Sequence, residues 1–398
     1  MMHIGVDATC WQNTRGYGRH ARALLGTLVR RDTGNHYTFV LDSAEETKVL
    51  PPGVEIRVVK TTTPGTIAAS ADGHRSLRDL WRMSRALSSS DFDVVLFPTI
   101  YSYVPVFSRA KKVVLIHDVI PETFPQLTLP RFTSRLFWKA KTTFGRWQAD
   151  AIVTVSDYSR QGIVKYFNIP AEKVFVVGEA SDPIFRVLDH PIPTPHLNSL
   201  GITPPGRYVV YVGGFGPHKN LETLVGVFAK LSRYPTFSDV RLVLVGEYKK
   251  EVFYSYFGIL QRQVEELKIT DRVLFTGYLP DEDLVVLLNL STVLVLPSLL
   301  EGFGLPAIEA AACGCPVIAT TASPLPDLLG TAGLYIDPRR PEELEEALRQ
   351  VLESESLRQQ MRAGGLMAAR QLTWEIAAQQ MMSLLQTVSS KKHDESSS

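Results

Sequence analysis

Short apolar runs recur along this chain with helical patterns between them, and that alternation constrains the fold more than any other feature. His3 to Asp7, Tyr37 to Leu41, Val54 to Val59, Val94 to Phe97, Val113 to Ile116, Ile152 to Val155 and Val174 to Val177 read as strands. Helical patterns lie between several of them: Ala23, Leu24, Thr27 and Leu28 share one face, and Leu77 to Leu87 and Phe132 to Trp147 are helical in period. A proline-rich, polar interruption follows at Pro191 to Pro195 and Thr203 to Gly206, read as a linker over 191–205. The alternation then resumes. Tyr208 to Val212, Arg241 to Val245, Arg272 to Phe275, Val293 to Leu296, Pro316 to Ala319 and Gly333 to Ile336 read as strands. Leu221 to Leu231, Val252 to Leu267, Asp281 to Leu290 and Pro341 to Leu352 read as helices. Strands alternating with helices imply mostly parallel sheets covered on both faces. The predicted fold class is therefore α/β, with doubly wound domains over 1–190 and 206–372. A last helix over 373–390 starts at a plausible N-cap, Thr373, and the polar stretch 391–398 reads as a disordered tail. Thr61 to Gly73, rich in Thr, Ala, Ser and Gly, reads as a mobile loop.

Composition excludes several classes. Lys+Arg is 42 and Asp+Glu 41, so 42 − 41 gives +1, with no bias toward nucleic acid. Cys10, Cys313 and Cys315 are too few for a disulfide framework or a four-thiolate zinc site. That usage suits a reducing cytoplasm. Met1 to Asp7 lacks the basic start and long apolar run of a signal peptide, and no apolar stretch is long enough to span a membrane.

The most informative stretch is Ser298-Leu-Leu-Glu301-Gly-Phe-Gly-Leu-Pro-Ala-Ile-Glu309, directly after the apolar run Val293 to Leu296. Pro306 suits the first turn of a helix, whose N–H groups are spare. Those amides, near Gly302 to Leu305, lie where open α/β sheets bind ligands and where phosphate is attracted. Glu301 and Glu309 frame them. Phosphate repels carboxylate, so the glutamates are read as aimed at sugar hydroxyls, which a carboxylate accepts in pairs. The stretch reads as a sugar-nucleotide site, or else as an ordinary turn with surface glutamates.

Val212-Gly-Gly-Phe-Gly-Pro-His-Lys219 ends the first strand of the second series, and Lys219 sits at the start of the next helix. A lysine there faces an unfavourable dipole that a bound anion would relieve. Gly16-x-Gly18 opens the first helix, where glycines let a phosphate approach the backbone. His117 ends a strand, and Asp118 either joins it or caps the next turn. Asp91-Phe-Asp93 and Asp281-Glu-Asp283 fit a solvated turn and a helix's first turn better than a metal site. Arg131 to Trp147 mixes five basic residues with Phe132, Phe137, Trp138, Phe144 and Trp147. Peripheral membrane contact via 131–147 is one reading. The favoured reading is a core-covering helix with solvated basic ends, because the aromatics fall on more than one face.

Together these residues resemble the retaining family 4 glycosyltransferases, which have the GT-B fold of two Rossmann-like domains facing across a cleft. The resemblance covers nearly the whole chain. Its most specific element is Glu301 to Glu309 with Gly302-Phe-Gly-Leu-Pro306 between. Gly16-x-Gly-Arg19, His117-Asp118, Thr154-Val-Ser156, Pro217-His-Lys-Asn220 and the closing Trp374-Glu375 fall at corresponding places. The resemblance implies that Lys219 holds the donor diphosphate and Glu309 the ribose hydroxyls. Glu301, with the backbone of Phe303, Gly304 and Leu305, would contact the donor sugar, and His117 the reacting centre. Gly16 and Gly18 would lie near the diphosphate. Where many members carry an arginine this chain has Gly214, for which His218 or Arg19 would have to substitute. The last helix would cross back to the first domain.

The implied activity is retaining transfer of a hexose from a nucleotide-diphosphate sugar to a saccharide or lipid-linked acceptor. No cofactor and no metal are expected. His117-Asp-Val-Ile-Pro121 looks like the corresponding run of bacterial mannosyltransferases, which makes GDP-mannose the expected donor and UDP-glucose the alternative. An epimerase, a phosphorylase or a non-catalytic nucleotide-sugar-binding subunit would use similar glycines.

Overall fold

The computed structural model describes residues 1–13, 16–43, 50–62, 76–248 and 255–395. Arg15, most of the loop Thr61 to Gly73, the expected helix start at Val252 and the final three serines lie outside the described residues. The chain divides into two compact units. One comprises Met1–Pro125, Leu129–Glu179 and Thr373–Ser398; the other comprises Gln126–Thr128 and Ala180–Leu372.

The first unit carries a seven-stranded sheet in the order β3-β2-β1-β4-β5-β6-β7. Its strands are β1 (His3–Asp7), β2 (His36–Leu41), β3 (Glu55–Val58), β4 (Val94–Phe97), β5 (Lys111–Leu115), β6 (Ala151–Thr154) and β7 (Val174–Val176). Every pairing is parallel. β4 and β6 are buried along their whole length, as expected where helices cover both faces. β3 and β7 are the edge strands, and Ile56 and Val58 stay exposed on β3. The helix Trp374–Glu395 packs on the helix Gly16–Arg31, and it runs on through 391–395, which the sequence had suggested as tail.

The second unit repeats the plan with six strands in the order β10-β9-β8-β11-β12-β13. These are β8 (Arg207–Val212), β9 (Val240–Val245), β10 (Val273–Gly277), β11 (Val293–Leu296), β12 (Val317–Thr320) and β13 (Gly333–Ile336), again all parallel. Each strand expected from the sequence is present, with ends displaced by no more than two residues. Several helices were not foreseen, among them Asp157–Phe167 in the first unit and, in the second, Pro195–Ser199 inside the expected linker and Glu355–Gln371. Glu355–Gln371 contains Gly364-Gly365, a pair of low helix propensity. The pair instead permits close packing: a Cβ on Gly365 would sit 3.4 Å from Ala311 Cβ, and one on Gly364 2.9 Å from Ala332 Cβ. Asp283, in the first turn of its helix, is buried. It accepts from Thr194 Oγ1 at 2.6 Å and lies 2.7 Å from His196 Nδ1, which ties the polar interruption to the second unit.

Candidate active site

In the second sheet β8 lies beside β11, and successive connections leave in opposite directions from that pair. Ligands in open α/β sheets bind outside the carboxyl ends of strands at such a switch point. The loop after β8 is tightly folded. Gly213 has φ +152°, and a Cβ on Gly246 would lie only 2.0 Å from the Gly213 carbonyl oxygen. The Tyr211 hydroxyl donates to the Gly214 carbonyl at 2.7 Å. Two bonds then fasten this loop to the one after β11. Asn220, held at φ +57°, donates from Nδ2 to the Pro297 carbonyl at 3.0 Å, and the Leu299 N–H donates to the His218 carbonyl at 2.9 Å.

The consequence is a pairing that spacing alone does not reveal. Lys219 Nζ lies 2.7 Å from Glu301 Oε1, which also accepts from Ser298 Oγ at 2.6 Å. The two side chains are only 21% and 11% exposed. Lys219 closes a short turn, Pro217–Lys219, ahead of the helix Leu221–Leu231. Glu301 balances its charge, which the positive end of that helix would otherwise disfavour. His218 beside it is half-buried with its Nδ1 enclosed, and desolvation followed by the Lys219 charge pulls its imidazole down to about 3.

Gly304 caps the helix Leu305–Ala312 at φ +86°, where a Cβ would also press within 2.8 Å of Leu325 Cδ1. The first-turn amides of that helix have no intrahelical acceptor. Phe303 is buried beside them. Glu309 is 1% exposed, so it is an interior carboxylate and not a surface one. Burial, with the Glu309 charge second, pushes the Cys313 thiol up to about 12. All three cysteines are buried and unlinked.

The first unit gathers a separate set. His117 follows β5, and its carbonyl accepts from Thr154 Oγ1 at 3.1 Å. Asp118 turns away to accept from the Ile120 N–H at 2.8 Å, so it caps the turn. Both His117 ring nitrogens are buried, and neither bonds to a described residue. Burial, then the nearby His20, holds the imidazole well below its ordinary range, so the ring is neutral. His20 packs edge-on to His117 with ring centres 5.1 Å apart, and against Trp374 at 5.6 Å. Its Nδ1 lies 2.7 Å from Glu179 Oε1. The ligand atoms of His20, His117 and Glu179 lie within 4.8 Å of one another, a spacing a metal ion could use, and neither ring nitrogen of His20 makes a hydrogen bond among the described residues. Gly18 is required by packing, since a Cβ there would sit 2.0 Å from the Asn13 carbonyl oxygen. Nothing crowds Gly16 within 4 Å. Arg19 is half-buried on the same helix.

Sequence reasoning missed His20, Glu179 and Ser298. Glu179 follows β7, so the rule that singled out His117 at a strand's carboxyl end reaches it too. His20 lies one turn beyond Gly16, and Ser298 opens the stretch that holds both glutamates.

Two parallel, Rossmann-like domains with strands in the order 3-2-1-4-5-6, each with polar side chains at its strand ends, define the GT-B architecture. Two family models divide the chain: Glycosyltransferase Family 4 matches residues 14–183 and Glycosyl transferases group 1 matches 195–366. The chain belongs to this glycosyltransferase family. It is 34% identical over 238 residues to the O-antigen chain mannosyltransferase B of Escherichia coli, which covers 57% of this chain and 58% of that one. The chain spans about half, or less, of the length of the curated relatives it matches. Among solved structures, a sucrose-phosphate synthase from Thermosynechococcus elongatus superposes with a TM-score of 0.74 at 20% identity, covering 98% of this chain and 99% of the other. The Anabaena protein HepE, solved with UDP-glucose, superposes at 0.74 with 18% identity, covering 97% and 100%.

Proposed function

We propose that the protein is a retaining hexosyltransferase of glycan synthesis that moves mannose from GDP-mannose to a saccharide or lipid-linked acceptor. The observation that carries the reading is the Lys219–Glu301 pair at the switch point of the second sheet. It sets a cation suited to a diphosphate beside a carboxylate suited to sugar hydroxyls. Mannose is supported by the names of relatives, among them the O-antigen chain mannosyltransferase B. UDP-glucose is the second reading, favoured by the HepE structure of the same fold.

In the reaction the anomeric C–O bond to the donor phosphate breaks and its electron pair leaves with the nucleoside diphosphate. The acceptor oxygen attacks the same face of the sugar, and its proton passes to the departing phosphate. Negative charge grows on that phosphate. Lys219 and the first-turn amides at Phe303, Gly304 and Leu305 are assigned to stabilise it, since preorganised donors act most strongly where charge develops. Glu301 orients the donor hydroxyls and Glu309 those of the ribose. Gly214 leaves room in the loop where many relatives place a second cation. His117, neutral at working pH, supplies a hydrogen bond and no charge. Gly16, Gly18 and Arg19 are assigned to donor binding. No metal and no protein nucleophile are invoked. A thermal-shift screen of nucleotide sugars tests the donor half, because a ligand at 100 times its Kd stabilises by about 2.7 kcal/mol. Stabilisation by GDP and GDP-mannose is expected; stabilisation by no nucleotide sugar would remove the reading.

A further inference from the structure

The helix Phe132–Gln148 is inverted. A helix on a domain surface normally turns its apolar stripe toward the core. Here the inward face is small and polar. Thr142 and Gly145 are buried, and a Cβ on Gly145 would sit 2.5 Å from Ile100 Cδ1. Lys141 Nζ donates to the Tyr101 carbonyl at 2.8 Å, and the Gln148 side chain brackets Val106, accepting from its N–H at 2.9 Å and donating to its carbonyl at 3.1 Å. Of the five aromatics, only Trp138 turns inward, donating from Nε1 to Glu122 Oε1 at 2.7 Å. The others face solvent: Phe132 is 77% exposed, Phe137 48%, Phe144 53% and Trp147 76%, with Leu136 at 61% among them. The helix covers the core through Trp138, Thr142 and Gly145, as the sequence suggested, but its other aromatics point outward. Phe107, 78% exposed, follows the Val106 that Gln148 holds, so it extends the stripe past Trp147.

Charge selects the occupant. The helix carries Arg135, Lys139, Lys141 and Arg146 and no acidic residue, in a chain whose overall balance is only +1. Lys139 is exposed, and Arg135 and Arg146 flank the aromatic stripe half-buried. Aromatic and leucine side chains on one outward face with cations beside them form the pattern of a helix lying in the headgroup plane of an anionic bilayer. Among the described residues no helix is long and apolar enough to cross a membrane.

We infer that the helix Phe132–Gln148, with Phe107, is a docking surface for an anionic lipid membrane. The inference stands apart from the choice of donor. It is tested by co-sedimentation of the full chain with vesicles of phosphatidylcholine plus phosphatidylglycerol, and with phosphatidylcholine alone. Binding is expected to the mixed vesicles, at least about tenfold weaker to the neutral ones, and falling with added salt. Phe144→Ser with Trp147→Ser should weaken binding about tenfold or more, and Lys139→Gln about fivefold. Both side-chain sets are exposed, so the melting temperature should stay unchanged. Sedimentation velocity separates the alternative occupant. No binding to mixed vesicles at low salt, undiminished binding by the aromatic variant, or a dimer that F144S/W147S abolishes without any vesicle binding would each overturn the inference.

Discussion

Replacing either partner of the Lys219–Glu301 pair should move nucleotide affinity in opposite directions. Lys219→Ala removes a charge-assisted hydrogen bond of 2.7 Å. Such bonds contribute about 1.5–3 kcal/mol to stability. Glu301 would keep its bond from Ser298 Oγ and is 11% exposed, so the loss falls at the low end, about 1.5 kcal/mol. For a domain of this size that lowers the melting temperature by about 3–6 °C. The effect on ligand is larger, because truncating a desolvated charge partner of phosphate costs about 2–5 kcal/mol. Glu301→Gln keeps the shape and the Ser298 contact but removes the charge that neutralises Lys219 and repels phosphate. Nucleoside diphosphate should then bind more tightly, by about 1 kcal/mol or fivefold, while sugar transfer declines. Titration calorimetry with GDP and UDP at fixed salt measures both variants. If E301Q weakens the nucleotide as much as K219A does, the residues are not opposing charges on one phosphate. Equal affinity in K219A and the parent would remove Lys219 from the site altogether.

Gly18→Ala should destabilise the first unit by about 3 kcal/mol, read by urea unfolding, because no rotation relieves a Cβ 2.0 Å from the Asn13 carbonyl oxygen. An unchanged midpoint would show that the loop yields. Stability should also fall with acidification. His218 has a folded-state value of about 3, below its ordinary 6.5, so from pH 6.5 down toward 3 the unfolded chain binds a proton that the folded chain does not. The slope is about 1.4 kcal/mol per pH unit in that window, and His218→Gln should flatten it; a slope unaltered by the substitution would exclude His218 as its source. Turnover is expected to survive EDTA. Activity that vanishes with the chelator and returns with Mn²⁺ would contradict this and direct attention to His20, His117 and Glu179.

Much of the fold was legible because buried parallel strands must be continuous apolar runs, and Val293–Leu296 and Val94–Phe97 are just that. The glycine-rich turns were legible for a similar reason, since Gly304 at φ +86° could scarcely be another residue. What escaped depends on contacts distant in sequence. Lys219 and Glu301 are 82 residues apart, and only the adjacency of β8 and β11 joins them. The His20–Glu179 contact likewise joins residues far apart in one unit. Gly364-Gly365 is unfavourable by propensity, which describes an isolated helix, whereas here the pair serves close packing. The outward aromatic face of Phe132–Gln148 escaped because helical position alone does not say which side of a helix points away from the core.

The central claim is retaining transfer from a nucleotide-diphosphate hexose, and the anomeric configuration of the product tests it most directly. Full-length protein is incubated with GDP-mannose and a panel of mannose-containing oligosaccharide and lipid-linked acceptors, and the new linkage is read by proton NMR. The account predicts GDP release that depends on the acceptor and a product with the donor's α configuration. A UDP-hexose consumed in place of GDP-mannose would correct the donor alone. A β linkage, or free mannose, mannose phosphate or an epimerised nucleotide sugar formed without any acceptor, would contradict the account.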